Sequence, residues 1–206
     1  EKPNQLKFSS ASPKTWSLAS PKAQLRRETS EEENIKKDIK EESVFDKPIE
    51  AKEKAEIKTE QKQVFFIGNG GSAAIASHMT ADFMKNGGMK TYSLYDHSVT
   101  TCMGNDYGYE YIFSKPLEFL GNKGDLLVAV SSSGNSQNIV NALDVAEKKG
   151  LKIITFSGFN NKNRIINKGI YNVHVPVSHY GMVESIHNLI LQQVVDVILE
   201  RDGECI

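Results

Sequence analysis

Val64-Phe65-Phe66-Ile67-Gly68-Asn69-Gly70-Gly71-Ser72 is the stretch around which the rest of the chain is organised. Its first four residues are apolar and rich in β-branched and aromatic types, which predicts a buried strand. The glycines indicate a turn with positive φ angles, and Ser72 is predicted to cap a helix over 72–85 by accepting from backbone N–H groups of the first turn. Such a junction offers unpaired N–H groups and the positive end of a helix dipole to an anion.

A second strand-to-helix junction repeats this pattern. The apolar run 125–130 ends in Ser131-Ser132-Ser133-Gly134-Asn135-Ser136, here called the serine loop, and a helical pattern follows over 136–149. Serine hydroxyls and backbone N–H groups can donate to phosphate oxygens without adding a charge. Two such junctions favour phosphate binding over the alternative, which is ordinary turns with Ser136 as a plain N-cap. Neither junction has the spacing of a nucleotide-binding motif, so no nucleotide cofactor is expected.

Strand and helix signals alternate regularly from Val64 onward. Strands are predicted at 64–67, 91–95, 125–130, 152–156 and 171–175, and helices at 72–85, 109–120, 136–149 and 182–201. This alternation predicts an α/β fold in which a parallel sheet with right-handed crossovers is flanked by helices. Ligands of such sheets bind outside the carboxyl ends of the strands, where both candidate phosphate loops fall.

Three segments resemble the signature loops of the SIS (sugar isomerase) domain family, in particular its phosphoheptose isomerase branch. They are Gly68–Ser72, Gly104–Gly108 and Ser131–Ser136. The resemblance runs from about Val64 to Arg201 and implies a five-stranded, flavodoxin-like parallel sheet, a phosphosugar ligand and a homo-oligomer, usually a tetramer, with sites shared between subunits. It further implies sugar- or phosphate-binding roles for Asn69, Gly70, Gly71, Ser72, Asp106, Ser131, Ser132, Ser133 and Ser136.

Residues 1–63 differ in kind from the predicted SIS domain at 64–206. They hold 27 of the 51 charged residues, four of the six prolines and none of the 15 glycines. Helices are expected at 28–42 and 51–63, although their apolar stripes are thin. The segment is therefore predicted to be a charged, partly helical extension, beginning with a solvated leader over 1–27.

Composition limits the partners and the compartment. The formal net charge of -1 gives no reason to expect nucleic acid or an anionic membrane as partner. The two cysteines, Cys102 and Cys205, suggest neither a disulfide framework nor a metal cluster, which fits a reducing cytoplasm. No stretch is expected to reach the length of a membrane span. The expected partners are a small phosphorylated sugar and further copies of the chain.

His78 and Asp82 lie four residues apart on the first predicted helix, so their side chains share a face. Such a pair can bind a metal or act in proton transfer, and the alternative is an ion pair at the edge of a core. The family has His at the position of His78 and usually Glu, not Asp, at that of Asp82. Because that Glu is the family's base, the resemblance makes Asp82 the candidate base here.

The last predicted helix is apolar on most sides, which is typical of a buried helix. Glu184, Asn188 and Gln192 form a polar stripe along it, as part of an active site or as a polar seam in an oligomer interface. The family has Gln at 184 and an acid/base His at 192, so Gln192 stands at a catalytic position with an amide that cannot exchange a proton near neutral pH. His78, Asp82, Glu184 and Gln192 together form a candidate site for a divalent metal such as zinc, or the remnant of one.

These observations predict an aldose–ketose isomerase of sugar phosphates with an altered active site. By resemblance, its leading substrate is sedoheptulose 7-phosphate. The alternative is a non-enzymatic phosphosugar-binding module that regulates by contacting other proteins. Both predict phosphosugar binding, and turnover separates them.

Overall fold

The computed structural model of the chain describes residues 62–202, which belong to one structural unit, Lys47–Ile206. The described residues contain five strands, all parallel: β1 (Gln63–Ile67), β2 (Lys90–Ser93), β3 (Leu126–Ser131), β4 (Lys152–Gly158) and β5 (Tyr171–Val175). Their order in the sheet is β2-β1-β3-β4-β5. This is the flavodoxin-like order, so the predicted sheet is confirmed.

Within residues 62–202, five helices connect the strands or follow them. They are α1 (Gly71–Lys85), α2 (His97–Tyr107), α3 (Ser114–Leu120), α4 (Gln137–Lys149) and α5 (Tyr180–Asp202). The predicted helix over 109–120 is divided into a short 3-10 turn, Tyr109–Tyr111, and α3. The two helices predicted within 28–63 lie outside the described residues, except for Lys62 and Gln63, and Gln63 belongs to β1.

Helix α2 is the element that the sequence did not predict. It contains Gly104–Tyr107, which was expected to be a loop, and it buries none of its residues. The Asp96 side chain caps this helix by accepting from the Val99 backbone N–H at 2.9 Å. In the sequence, Asp96 was a possible N-cap and so a signal for the start of a helix. No apolar stripe followed it to support that prediction.

Helices cover both faces of the sheet, so alternate residues of β1 enter two different cores. Phe65 and Ile67 belong to the core shared with α3 and α4. Val64 and Phe66 belong to the core shared with α1 and α5. This burial on both faces accounts for the uninterrupted apolar run of the strand. Because β1 and β3 are adjacent in the sheet, with Ile67 beside Ala129, the two candidate phosphate loops leave the sheet next to each other.

Helix α5 is only partly covered by the rest of the chain. Val183, Leu191 and Val195 are buried on one side, while Met182, Leu189 and Val197 remain 54%, 59% and 49% exposed. By length and composition alone, Tyr180–Arg201 is long and apolar enough to cross a membrane, so the expectation that no stretch reaches that length is wrong. Core helices of globular proteins also meet this criterion, and α5 packs against α1, which gives its apolar residues a role in the core.

Candidate active site

The serine loop begins with a tight turn at the end of β3. The Gly134 backbone N–H donates to the Ser131 carbonyl at 2.9 Å, and Gly134 has a φ of 63°, which glycine adopts without strain. Ser132 is 4% exposed, and its hydroxyl has no hydrogen-bond partner among the described residues. Ser136 is the N-cap of α4 by position, but its side chain makes no capping bond. Two hydroxyls of the loop are therefore not used by the fold, which suits their predicted role in binding a ligand.

The loop between β1 and α1, residues 68–70, is held by side-chain amides. Asn69 and Asn138 exchange two hydrogen bonds of 2.9 Å, each Nδ2 donating to the other's Oδ1. The Tyr109 hydroxyl also donates to Asn69 Oδ1, at 3.1 Å. Asn69 thus keeps one amide N–H for the sugar hydroxyl that it was predicted to hold. Asn138 is 2% exposed and was not predicted as a site residue. The available signal was its position, as a polar residue in the first turn after the serine loop.

Tyr95 fixes the backbone of the same loop, which joins β1 to α1. Its hydroxyl donates to the Gly68 carbonyl at 2.8 Å. Burial raises the pKa of Tyr95 above its usual range, so the phenol stays protonated and remains a donor at physiological pH. Tyr95, Tyr109 and the buried Asn138 therefore hold the loop between β1 and α1.

Helix α1 begins one residue earlier than predicted, and Ser72 does not cap it. Gly70, with a φ of 56°, is the N-cap, and Ser72 lies buried in the first turn. The predicted cap was wrong because Gly70 already supplies the carbonyl that accepts from the Ala73 and Ala74 backbone N–H groups. Ser72 is thus part of the buried junction between β1 and α1.

The carboxylate of Glu184, a residue of α5, lies beside the start of α1. A side chain in place of Gly71 would collide with the Glu184 carboxylate, so that carboxylate stands beside the helix N-terminus. A negative charge there is stabilised by the helix dipole and opposes a phosphate at the same point. Between the two candidate loops, this contact favours the serine loop for phosphate.

Asp82, the candidate base, is held by two neighbours through one oxygen. Gln192 Nε2 donates to Asp82 Oδ2 at 3.0 Å, and His78 Nε2 lies 3.1 Å from the same oxygen. The Asp82 side chain is 22% exposed, and its Oδ1 accepts no hydrogen bond from the described residues. The structure thus brings the predicted residues His78, Asp82 and Gln192 together and leaves one carboxylate oxygen open for a proton.

The predicted metal set does not come together within one chain. Glu184 contacts Gly71, seven residues before His78 on α1, which corresponds to about 10 Å along the helix. Among residues 62–202, no group of three or more His, Cys, Asp or Glu side chains could hold a metal ion. The four candidates therefore do not fit a zinc ion as this chain arranges them.

Asp106 lies at the exposed end of α2. It accepts from Asn105 Nδ2 at 2.9 Å and from Cys102 Sγ at 3.5 Å. The neighbouring carboxylate raises the pKa of the Cys102 thiol. The predicted role of Asp106 in binding a sugar hydroxyl remains a prediction.

His187 faces away from this cluster. It is fully buried, its Nε2 lies 3.0 Å from the Ser157 carbonyl, and its ring packs edge-on against Phe156. Burial lowers the pKa of His187, so the neutral ring donates from Nε2 and its Nδ1 has no partner among the described residues. His187 joins α5 to β4 and cannot replace the imidazole absent at Gln192.

Comparison with known proteins identifies the family. Residues 49–158 match the family model of the SIS domain. A phosphoheptose isomerase from Sodalis glossinidius (strain morsitans) is 36% identical over 149 residues, covering 70% of this chain and 75% of that protein.

Solved structures agree with this match. A phosphoheptose isomerase from Francisella tularensis superposes with a TM-score of 0.70 at 26% identity, covering 87% of this chain and 97% of that one. The corresponding enzyme from Neisseria gonorrhoeae gives a TM-score of 0.66 at 25% identity, with coverage of 87% and 98%. The chain therefore belongs to the SIS domain family, as a member of its phosphoheptose isomerase-like branch.

Proposed function

We propose that this chain is an aldose–ketose isomerase of sugar phosphates, with sedoheptulose 7-phosphate as its leading substrate. The observation that carries the proposal is the Asp82 carboxylate, oriented by His78 and Gln192 through one oxygen while the other is open. This carboxylate stands where the family places its base. Relatives named phosphoheptose isomerase support the substrate class.

In this reaction Asp82 removes the proton from the carbon beside the carbonyl and returns it to the neighbouring carbon of the cis-enediol. A general base must lie within hydrogen-bond reach of that proton, and Asp82 Oδ1 is the available atom. Gln192 donates a hydrogen bond that steadies the carboxylate, but its amide does not exchange a proton near neutral pH and so cannot move one between the two sugar oxygens. Weak turnover is therefore expected.

A second copy of the chain completes the proposed site. The start of α1 at Ser72 leaves the sheet beside the serine loop, and Asp82 lies ten residues further along α1, or about 15 Å. The six carbon–carbon bonds of a seven-carbon sugar, about 1.5 Å each, span less than this. A phosphate in one subunit's serine loop is then better placed to meet Asp82 of another subunit. The exposed apolar stripe of Met182, Leu189 and Val197 supports a homo-oligomer, which we propose to be a tetramer.

The second candidate function is binding without turnover. It is favoured by Gln192, because an amide replaces the acid/base imidazole and donates to the candidate base itself. In this reading the protein binds a phosphosugar and regulates a partner protein. The cytoplasm is the proposed location in both cases, since the exposed Cys102 is a free thiol.

Incubation with sedoheptulose 7-phosphate tests the two candidates directly. Slow conversion that is lost in Asp82→Asn supports the isomerase, because Asn keeps the shape of the side chain and cannot accept the proton. Binding in calorimetry without conversion supports the regulatory module. Parallel reactions with a chelator and with added zinc show whether a metal contributes, although no step above depends on one.

A further inference from the structure

The serine loop carries no charged side chain, although a phosphate group holds about 1.5 to 2 negative charges at neutral pH. A second segment, here called the clamp loop (residues 159–165), packs against it. A side chain in place of Gly134 would collide with Asn163, so the two loops are in direct contact. The serine loop therefore has a neighbour whose charges affect any phosphate bound there.

Asn163 gives the clamp loop a fixed shape. It is 5% exposed, donates to the Asn160 carbonyl at 2.9 Å and accepts from the Ile165 backbone N–H at 3.2 Å. Ile165 is itself fully buried. Arg164 stands between these two buried residues, so its backbone position is set by packing.

Arg164 contacts the serine loop with its backbone and the first residue of α4 with its side chain. Its backbone N–H donates to Asn135 Oδ1 at 3.1 Å, and its Nη1 donates to Gln137 Oε1 at 2.7 Å. Asn135 belongs to the serine loop, and Gln137 is the first residue of α4. Arg164 therefore bridges the loop-to-helix junction at which Ser136 stands.

The Arg164 guanidinium has no carboxylate partner within residues 62–202. Its one side-chain hydrogen bond there is to the neutral amide of Gln137, which uses one of five N–H donors. Lys168, by contrast, pairs with Asp144 at 3.4 Å and with Glu147 at 3.0 Å. A guanidinium with free donors beside an uncharged, serine-rich loop is suited to an anionic ligand.

We propose that Arg164 is a phosphate-recognition residue that supplies the positive charge absent from the serine loop. When the ligand binds, the guanidinium donates to phosphate oxygens while the serine hydroxyls and the N–H groups of α4 supply neutral donors. The proposal rests on the proposed function, because it takes the phosphate to lie in the serine loop. No feature of the sequence around position 164 pointed to this role.

Arg164→Gln and Lys162→Gln form a matched pair for the test. Each removes one positive charge from an exposed residue of the clamp loop, but the Lys162 side chain makes no hydrogen bond to the serine loop. Calorimetry with sedoheptulose 7-phosphate should show about 10-fold weaker binding for Arg164→Gln. Lys162→Gln should change affinity less than about 2-fold, because salt screens an exposed charge that makes no contact. Arg164→Lys, which keeps the charge but loses the planar fork, should fall between the wild type and Arg164→Gln.

Inorganic phosphate as a second ligand separates this inference from the proposed function. If the wild type binds phosphate but not sedoheptulose 7-phosphate, and Arg164→Gln still weakens phosphate binding, the substrate assignment fails and the role of Arg164 stands. Equal losses in Arg164→Gln and Lys162→Gln, or no loss in either, would overturn the role of Arg164. Binding of neither ligand by a folded wild type would overturn both.

Discussion

The double substitution Asp82→Glu with Gln192→His should raise the turnover of sedoheptulose 7-phosphate. Gln192 Nε2 already lies 3.0 Å from Asp82 Oδ2, so an imidazole at position 192 starts within reach of the carboxylate. Glu adds one carbon–carbon bond of about 1.5 Å, which advances the base toward the proton that it must take. Both changes restore the residue types that the family has at these positions.

A positioned acid/base group contributes about 10²–10⁴-fold to turnover, and this sets the expected gain. Conversion can be followed by nuclear magnetic resonance of the sugar phosphate, because aldose and ketose differ at the first two carbons. Gln193→His is the matched control. It adds the same side chain one residue along α5, at an exposed position about 100° round the helix from Gln192. The control should leave turnover unchanged.

A wild-type turnover of about 1–10³ s⁻¹ would refute this reasoning, since ordinary enzymatic rates would mean that another group does the work of the absent imidazole. An equal gain in the Gln193→His control would also refute it, because the effect would not depend on contact with Asp82. Loss of the wild-type rate on chelation would also contradict it, because this reasoning gives no role to a metal.

Three other predictions concern binding, assembly and pH. Ser133→Ala and Ser136→Ala should each weaken sugar-phosphate binding by about 1–3 kcal/mol in calorimetry, and unchanged affinity in both would remove the serine loop as the phosphate site. Light scattering should show a homo-oligomer for the full chain and for the chain without residues 1–27. Leu189→Asp should dissociate this oligomer, because it places a charge on the exposed apolar stripe of α5. A wild-type monomer at micromolar concentration would contradict the prediction. The free energy of unfolding should fall as the pH drops below about 6.5, because burial lowers the pKa of His187 and the unfolded chain then binds the additional proton. Denaturant titrations should show a slope of at most about 1.4 kcal/mol per pH unit from this residue, and the same slope in His187→Phe would exclude His187 as its source.

Local pattern was sufficient for the strands and their parallel direction, while the flavodoxin-like sheet was implied by the family resemblance. Continuous apolar runs such as Val64–Ile67 identify strands buried on both faces, and glycine- or serine-rich junctions mark where they end. Helix α2 was missed because it buries no residue, so no apolar periodicity distinguished it from a loop.

The candidate site was predictable only in part, for a related reason. The i,i+4 spacing of His78 and Asp82 places both on one helical face, and the resemblance to the family identified Gln192 as their partner. Spacing alone could not show that the Glu184 carboxylate lies beside Gly71, away from His78 and Asp82, or that Asn69 is hydrogen-bonded to Asn138. These contacts depend on where α5 meets the start of α1 and where α4 meets the loop before it.

The amino-acid sequence by itself determined the five strands, the helices other than α2, and the glycine- and serine-rich junctions after β1 and β3, since each is written in neighbouring positions of the chain. The resemblance to the family marked the residues at 82 and 192 as altered. Only the tertiary structure decided that Arg164 contacts Asn135 of the serine loop, 29 residues before it along the chain. It also decided that Asp82 is held through a single oxygen. Contacts between distant segments follow from side-chain packing across several elements, which local periodicity does not encode.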